Sequence, residues 1–222
     1  MALRKFARDN GLSVVLFGIF AATIIGMSIM GWHSENNDLA DHKQPAQSYV
    51  SYITSGDFVE AVFENWESEF LQMWALVVLT IFLRQKGSED SKPMRGPAPQ
   101  DTSSRYSIIN AASWTKRKRA IRHGIYSHSL SLSLLSLFIM SFVLHGFGGV
   151  HAANSEAMLH SEETMTVWQY FASSQFWFES LQNWQSEFLA VGTLIVLSIK
   201  LRERGSQQSK PVGEKFDRKT GD

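Results

Sequence analysis

The chain has no cysteine among its 222 residues. That excludes a disulfide framework, thiol redox chemistry and thiolate metal sites. Basic residues are almost missing from two long stretches: residues 33–69 and 145–187 hold one, Lys43, against 13 acids. Elsewhere the balance reverses, and residues 1–10, 84–123 and 200–222 carry 20 Lys and Arg against 8 acids. The formal net charge of zero is the sum of these two opposed groups. Also missing are a nucleophile elbow, a phosphate-binding glycine loop and a zincin helix. With outer loops too short to house an active site, neither an enzyme nor a cofactor is expected.

What is present is segregated apolar sequence. The run Gly11 to Trp32 is 22 residues without a formal charge, long enough to cross roughly 30 Å of hydrocarbon as a helix. Ser127 to Phe147 is a second such run. Lys and Arg gather on the cytoplasmic side of membrane proteins. The basic group of segments, including both termini, is therefore expected in the cytoplasm and the acidic group outside. Arg4, Lys5 and Arg8 precede the first run as in a signal peptide. The run is too long for one and lacks a small-residue cleavage site, so it reads as a retained anchor.

The chain repeats itself at an offset of 118. Asn65-Trp66-Glu67-Ser68-Glu69-Phe70-Leu71 aligns with Asn183-Trp184-Gln185-Ser186-Glu187-Phe188-Leu189, and Arg84, Gly87, Ser88, Ser91, Lys92 and Pro93 align with Arg202, Gly205, Ser206, Ser209, Lys210 and Pro211. Gly11 aligns with Gly124 at a different offset, which predicts outer loops of unequal length. Each unit holds two crossings, so the copies insert in the same orientation about a pseudo-two-fold along the membrane normal. The fold class follows: an all-α membrane protein, a four-helix bundle of four transmembrane helices from two parallel-oriented two-helix repeats. Residues 1–100 form the first repeat, with spans at about 11–32 and 59–84. Residues 101–222 form the second, with spans at about 125–147 and 177–201.

The second span of each unit has a short apolar core, Phe70 to Leu83 and Phe188 to Ile199. Both extend outward at helical spacing through Val59, Val62, Phe63 and Trp66, and through Trp177, Leu181 and Trp184. Trp66 and Trp184 fall where an aromatic belt belongs. Residues 85–104 are rich in Gly, Pro and Ser and read as a linker. Residues 205–222 lack apolar periodicity and read as a flexible tail. Within 114–122, Lys116, Arg117, Lys118, Arg119 and Arg122 precede the third span; they point to anionic lipid at the cytoplasmic face rather than to nucleic acid.

The sharpest site is the duplicated polar block, Asn65, Ser68 and Glu69 with Asn183, Ser186 and Glu187. An ionisable side chain within a membrane is costly and is by default a functional group. Glu69 keeps its counterpart while Glu67 is replaced by Gln185, which singles out Glu69 and Glu187. Two readings stay open: the block ties the repeats together by hydrogen bonds, or it holds a proton or cation. His33 and His145, at the outer ends of the first and third spans, are weaker metal or haem ligands.

On the repeated Asn-Trp-x-Ser-Glu-Phe-Leu block and the Arg-x-x-Gly-Ser turn, the chain resembles a family of small bacterial inner-membrane proteins of unknown function with a duplicated two-helix unit. The resemblance covers most of the chain and implies a bacterial inner membrane. It carries over no activity and no catalytic residue. The expected function is a non-enzymatic, homo-oligomeric structural or interaction component of the envelope. The alternatives are a small cation or proton channel using Glu69 and Glu187, and a haem- or metal-binding membrane protein.

Overall fold

The computed structural model describes residues 2–88, 90–96, 98–101 and 124–215. Lys116, Arg117, Lys118, Arg119 and Arg122 lie outside the described residues. Apart from a 3-10 turn at Pro99–Asp101, every regular element among the described residues is an α-helix. In chain order these are α1 (Ala2–Asp9), α2 (Gly11–Asp41), α3 (Tyr49–Ile53), α4 (Gly56–Phe82), α5 (Ser129–His160), α6 (Val167–Phe171) and α7 (Ser174–Lys200). α2 and α5 are long and apolar enough to cross a membrane.

Both long helices outrun their apolar stretches and carry polar sequence in their last turns. Each ends in the same way. Lys43, just past α2, takes a left-handed φ of 57° and Ser161, past α5, a φ of 59°. The following amides reach back to Leu39 and Ala157 at 2.8 and 2.7 Å, the bonding of a Schellman stop. The chain then turns back and is clamped. Asn36 donates to the Gln47 carbonyl and accepts from the Gln47 amide; Asn154 does the same with Met165. Ser48 and Thr166 next cap α3 and α6, Thr166 within a capping box closed by Gln169.

These bonds correct the expectation of unequal outer loops. The matching residues, from Asn36 and Asn154 to Ser48 and Thr166, are all 118 apart. The two connections are therefore equally long, and the change of offset falls before residue 36. The same interval relates the turns after α4 and α7. The Gln85 amide donates to Ser91 Oγ at 2.7 Å and the Glu203 amide to Ser209 Oγ at 2.8 Å. Gly87 and Gly205 have φ of 84° and 87°, a conformation that glycine enters without a Cβ penalty.

The chain divides into two compact units, Met1–Phe63 with Leu144–Phe176, and Glu64–Val143 with Trp177–Asp222. The first is centred on Tyr52, Val62, Val150, Tyr170 and Phe176, with His145 and Ser28 also buried. The second buries Ala75 and Ala98 among polar groups: Glu67, Ser68, Ser88, Ser91, Ser141, Ser180 and Lys210. Meanwhile Leu12, Phe17, Phe82 and Leu130 stand more than half exposed. Polar groups inside and apolar groups outside invert the usual order of a water-soluble fold.

The segment that composition marks as a linker is tied in its described part. Asp101 accepts from the Lys92 ammonium and, at 3.1 Å, from the Ala98 amide. The Lys92 bond first, and the amide second, hold its carboxyl below the usual aspartate range. A depressed carboxylate contributes stability that is present above the unfolded value of about 3.9 and is lost as pH falls through the folded value. An NMR titration of the Asp101 carboxyl is expected to show a midpoint below that of a free aspartate, and Lys92→Ala to move it back up.

Candidate functional site

α4 carries Glu60, Glu64 and Glu67. Spacings of four and three residues put them on one helix face. Residues 44–83 and 124–199 contain no Lys or Arg, so no cationic side chain of α4, α5 or α6 can balance these acids. Spacing and missing counter-charge are the sequence signals that mark these acids, and a search for matched residues in the repeats passes over both.

In the first unit, Glu60 Oε1 accepts a 2.9 Å hydrogen bond from the Tyr170 hydroxyl, and Tyr170 is fully buried. Glu60 and His145 each offer a ligand atom, and these lie within 4.8 Å of one another. His145 is fully buried, its ring 4.9 Å from that of Phe176. Glycines on α5 create the room. A Cβ on Gly148 would stand 2.5 Å from the Glu60 amide nitrogen, one on Gly149 would collide with the Tyr170 hydroxyl, and one on Gly146 would collide with the Phe171 ring. Missing side chains are how helices approach this closely. On the same unit Tyr52 is buried as Tyr170 is, and burial, then Asp57 and Glu35, push its phenol above the ordinary range.

In the second unit, Asn183 Nδ2 donates to Glu64 Oε1 at 2.6 Å, and Trp184 Nε1 donates to Glu67 Oε1 at 3.1 Å. Glu67 has no exposed surface. The sequence expectation sets Glu67 aside for lack of a duplicate. Glu69 is exposed and Glu187 half-buried, and the two lie close enough to repel. Ser68 and Ser186 each donate to their own helix, to the carbonyls of Asn65 and Asn183 at 2.8 Å. Asn65 is exposed. Of the expected block, Asn183 bonds to an acid of α4, and that acid is Glu64. Trp66 packs edge-on to Phe70, while Trp184 is drawn inward, edge-on to Phe138 and Trp177. His33 is exposed beside Trp32; His145 faces the site.

Residues 3–222 match the model of a family described as Domain of unknown function (DUF6766). The chain belongs to this family. No curated protein and no solved structure matches it. Family membership covers the helices that hold Glu60, Glu64, Glu67 and His145, and assigns none of them a role.

Two outcomes test the geometry. Gly148→Ala, which meets helix backbone, is expected to cost about 1–3 kcal/mol as an overpacking change. Gly18→Ala, which meets nothing within 4 Å, is expected to cost nothing; thermal unfolding in detergent compares them. Separately, Trp184→Phe is expected to cost about 1.5–3 kcal/mol by removing a donor from a buried acid. The same change is expected to cost much less in a Glu67→Leu background, and a double-mutant cycle measures the difference.

Proposed function

We propose that this chain is a four-span membrane protein, built from a two-helix unit used twice, that binds protons or cations on carboxylates buried along α4. The observation that carries this reading is Glu67, fully buried against a neutral donor in a stretch of sequence without Lys or Arg. A buried carboxylate is held by pairing, by metal coordination or by a proton. An indole N–H supplies one hydrogen bond and no charge. On this reading the charge balance is completed by a proton or a small cation.

The membrane part of the proposal draws on exposure. Of the most apolar 18-residue stretch, 6% is buried in α2 and 17% in α5, too little for the core helices of a soluble protein. α4 and α7 are the second spans of the two units: shorter in apolar core, polar at the outer end, and aromatic at the interface. The recurrence of clamp, cap and turn at an interval of 118 favours duplication, and two crossings per unit favour parallel insertion. The positive-inside asymmetry puts both termini in the cytoplasm, and the family resemblance favours a bacterial inner membrane. In the second unit a cleft of about 430 Å³ runs between Leu76, Leu79 and Leu83 on α4 and Phe188, Val191 and Ile195 on α7, with Arg84 and Ser88 at its polar end. It suits an acyl chain with an anionic headgroup. Trp168 and Phe178, both well over half exposed, suit a homo-oligomer contact. The protein is non-enzymatic on this reading.

One observation favours a second reading. Glu60, Glu64 and Glu67 each already have a neutral donor, as they would if the groups only fastened helices together. Protein reconstituted in liposomes separates the two. Cation-dependent or pH-gradient-driven flux is expected, abolished by Glu64→Gln plus Glu67→Gln and retained in Glu162→Gln of the outer loop. Sealed vesicles with neither flux nor cation binding would overturn the proposal in favour of the fastening role.

A further inference from the structure

We infer that Glu60 and His145 form a site for a divalent transition ion of borderline softness, Zn²⁺ being the best match. The inference rests on the reading above and sharpens it, giving one position on α4 a ligand class that the carboxylates alone do not select.

The two side chains supply different donor types. Carboxylates by themselves suit Mg²⁺, Ca²⁺ or Mn²⁺, whereas an imidazole beside a carboxylate shifts preference toward Zn²⁺ and its neighbours. Two ligand atoms bound to one Zn²⁺ at about 2.0–2.2 Å must lie within about 4.5 Å of each other. The Glu60 and His145 atoms lie within 4.8 Å, so small rotations bring both onto one ion. An orienting group is already in place: the Tyr170 hydroxyl donates to Glu60 Oε1 at 2.9 Å, fixing the carboxylate as outer-shell donors do around metals. Tyr170 is itself held by the bare backbone of Gly149, and Glu60 by that of Gly148. His145 is fully buried, which removes competing bulk water on one side of the ion.

Charge points the same way. Lys43 is the only Lys or Arg between residues 9 and 83, and there is none between 124 and 199. Cationic side chains are thus scarce in the sequence on either side of Glu60 and His145, and a bound ion makes use of both ligand types and of the orienting phenol together. Water or a further carboxylate completes the coordination, leaving the open position common in exchangeable sites.

The test uses the full chain in detergent, stripped with EDTA and titrated with Co²⁺ as a coloured probe, then with Zn²⁺ as competitor. One equivalent of Co²⁺ is expected, giving visible d–d bands that Zn²⁺ abolishes. Tyr170→Phe is expected to weaken binding about 10–100-fold, and Glu60→Gln and His145→Gln to abolish it. If those two variants misfold, X-ray absorption of the Zn²⁺-loaded wild type decides: one imidazole among oxygen ligands supports the site, and two or more imidazoles or none overturns it. Failure of the stripped wild type to take up Co²⁺ also overturns it. Proton or alkali-cation flux that survives such a failure leaves the broader reading standing, and loss of both removes the two together.

Discussion

A carboxylate taken out of water needs something in exchange, and residues 10–83 and 124–199 of this chain have almost nothing cationic to offer. One lysine serves the whole of residues 10–83 and none serves 124–199. Transfer of an unpaired carboxylate into an apolar medium is among the costliest events in folding, so the arrangement of α4 follows from that scarcity. Its acids meet a phenol, a primary amide and an indole. These donors stabilise negative charge without cancelling it.

The donors reach the acids only because α5 gives up side chains. Gly146, Gly148 and Gly149 follow His145 directly or nearly so, where a string of glycines in an apolar helix would ordinarily weaken it. Here each glycine is matched to a group in contact: Phe171, Glu60 backbone and Tyr170. The loss in helix propensity is offset by close packing, and the same packing fixes the hydroxyl on Glu60. Site and fold therefore share their supports, which couples ligand binding to stability.

Much of this was legible in the sequence. The charge-free runs Gly11–Trp32 and Ser127–Phe147 locate the apolar parts of α2 and α5. The ends of α2 and α5 were hidden, because the Asn36 and Asn154 clamps bond to backbone 11 residues away and leave no local pattern. The burial of Glu67 was not legible for another reason: matching the copies favours duplicated residues, and Glu67 has no duplicate. The Tyr170–Glu60 bond joins residues 110 apart, so neither periodicity nor local spacing signals it.

The departure from duplication at Glu67 has its own physical logic. In the aligned blocks Gln185 stands where Glu67 stands, whereas Glu187 still matches Glu69. Glu67 is fully buried, whereas its counterpart Gln185 is exposed. Trp184 serves Glu67, while Gln185 spends its amide on the Gln182 carbonyl of its own helix at 3.1 Å. The copies therefore part where one position is buried against a donor of the other repeat and its counterpart is not, so the two positions make different demands on the side chain.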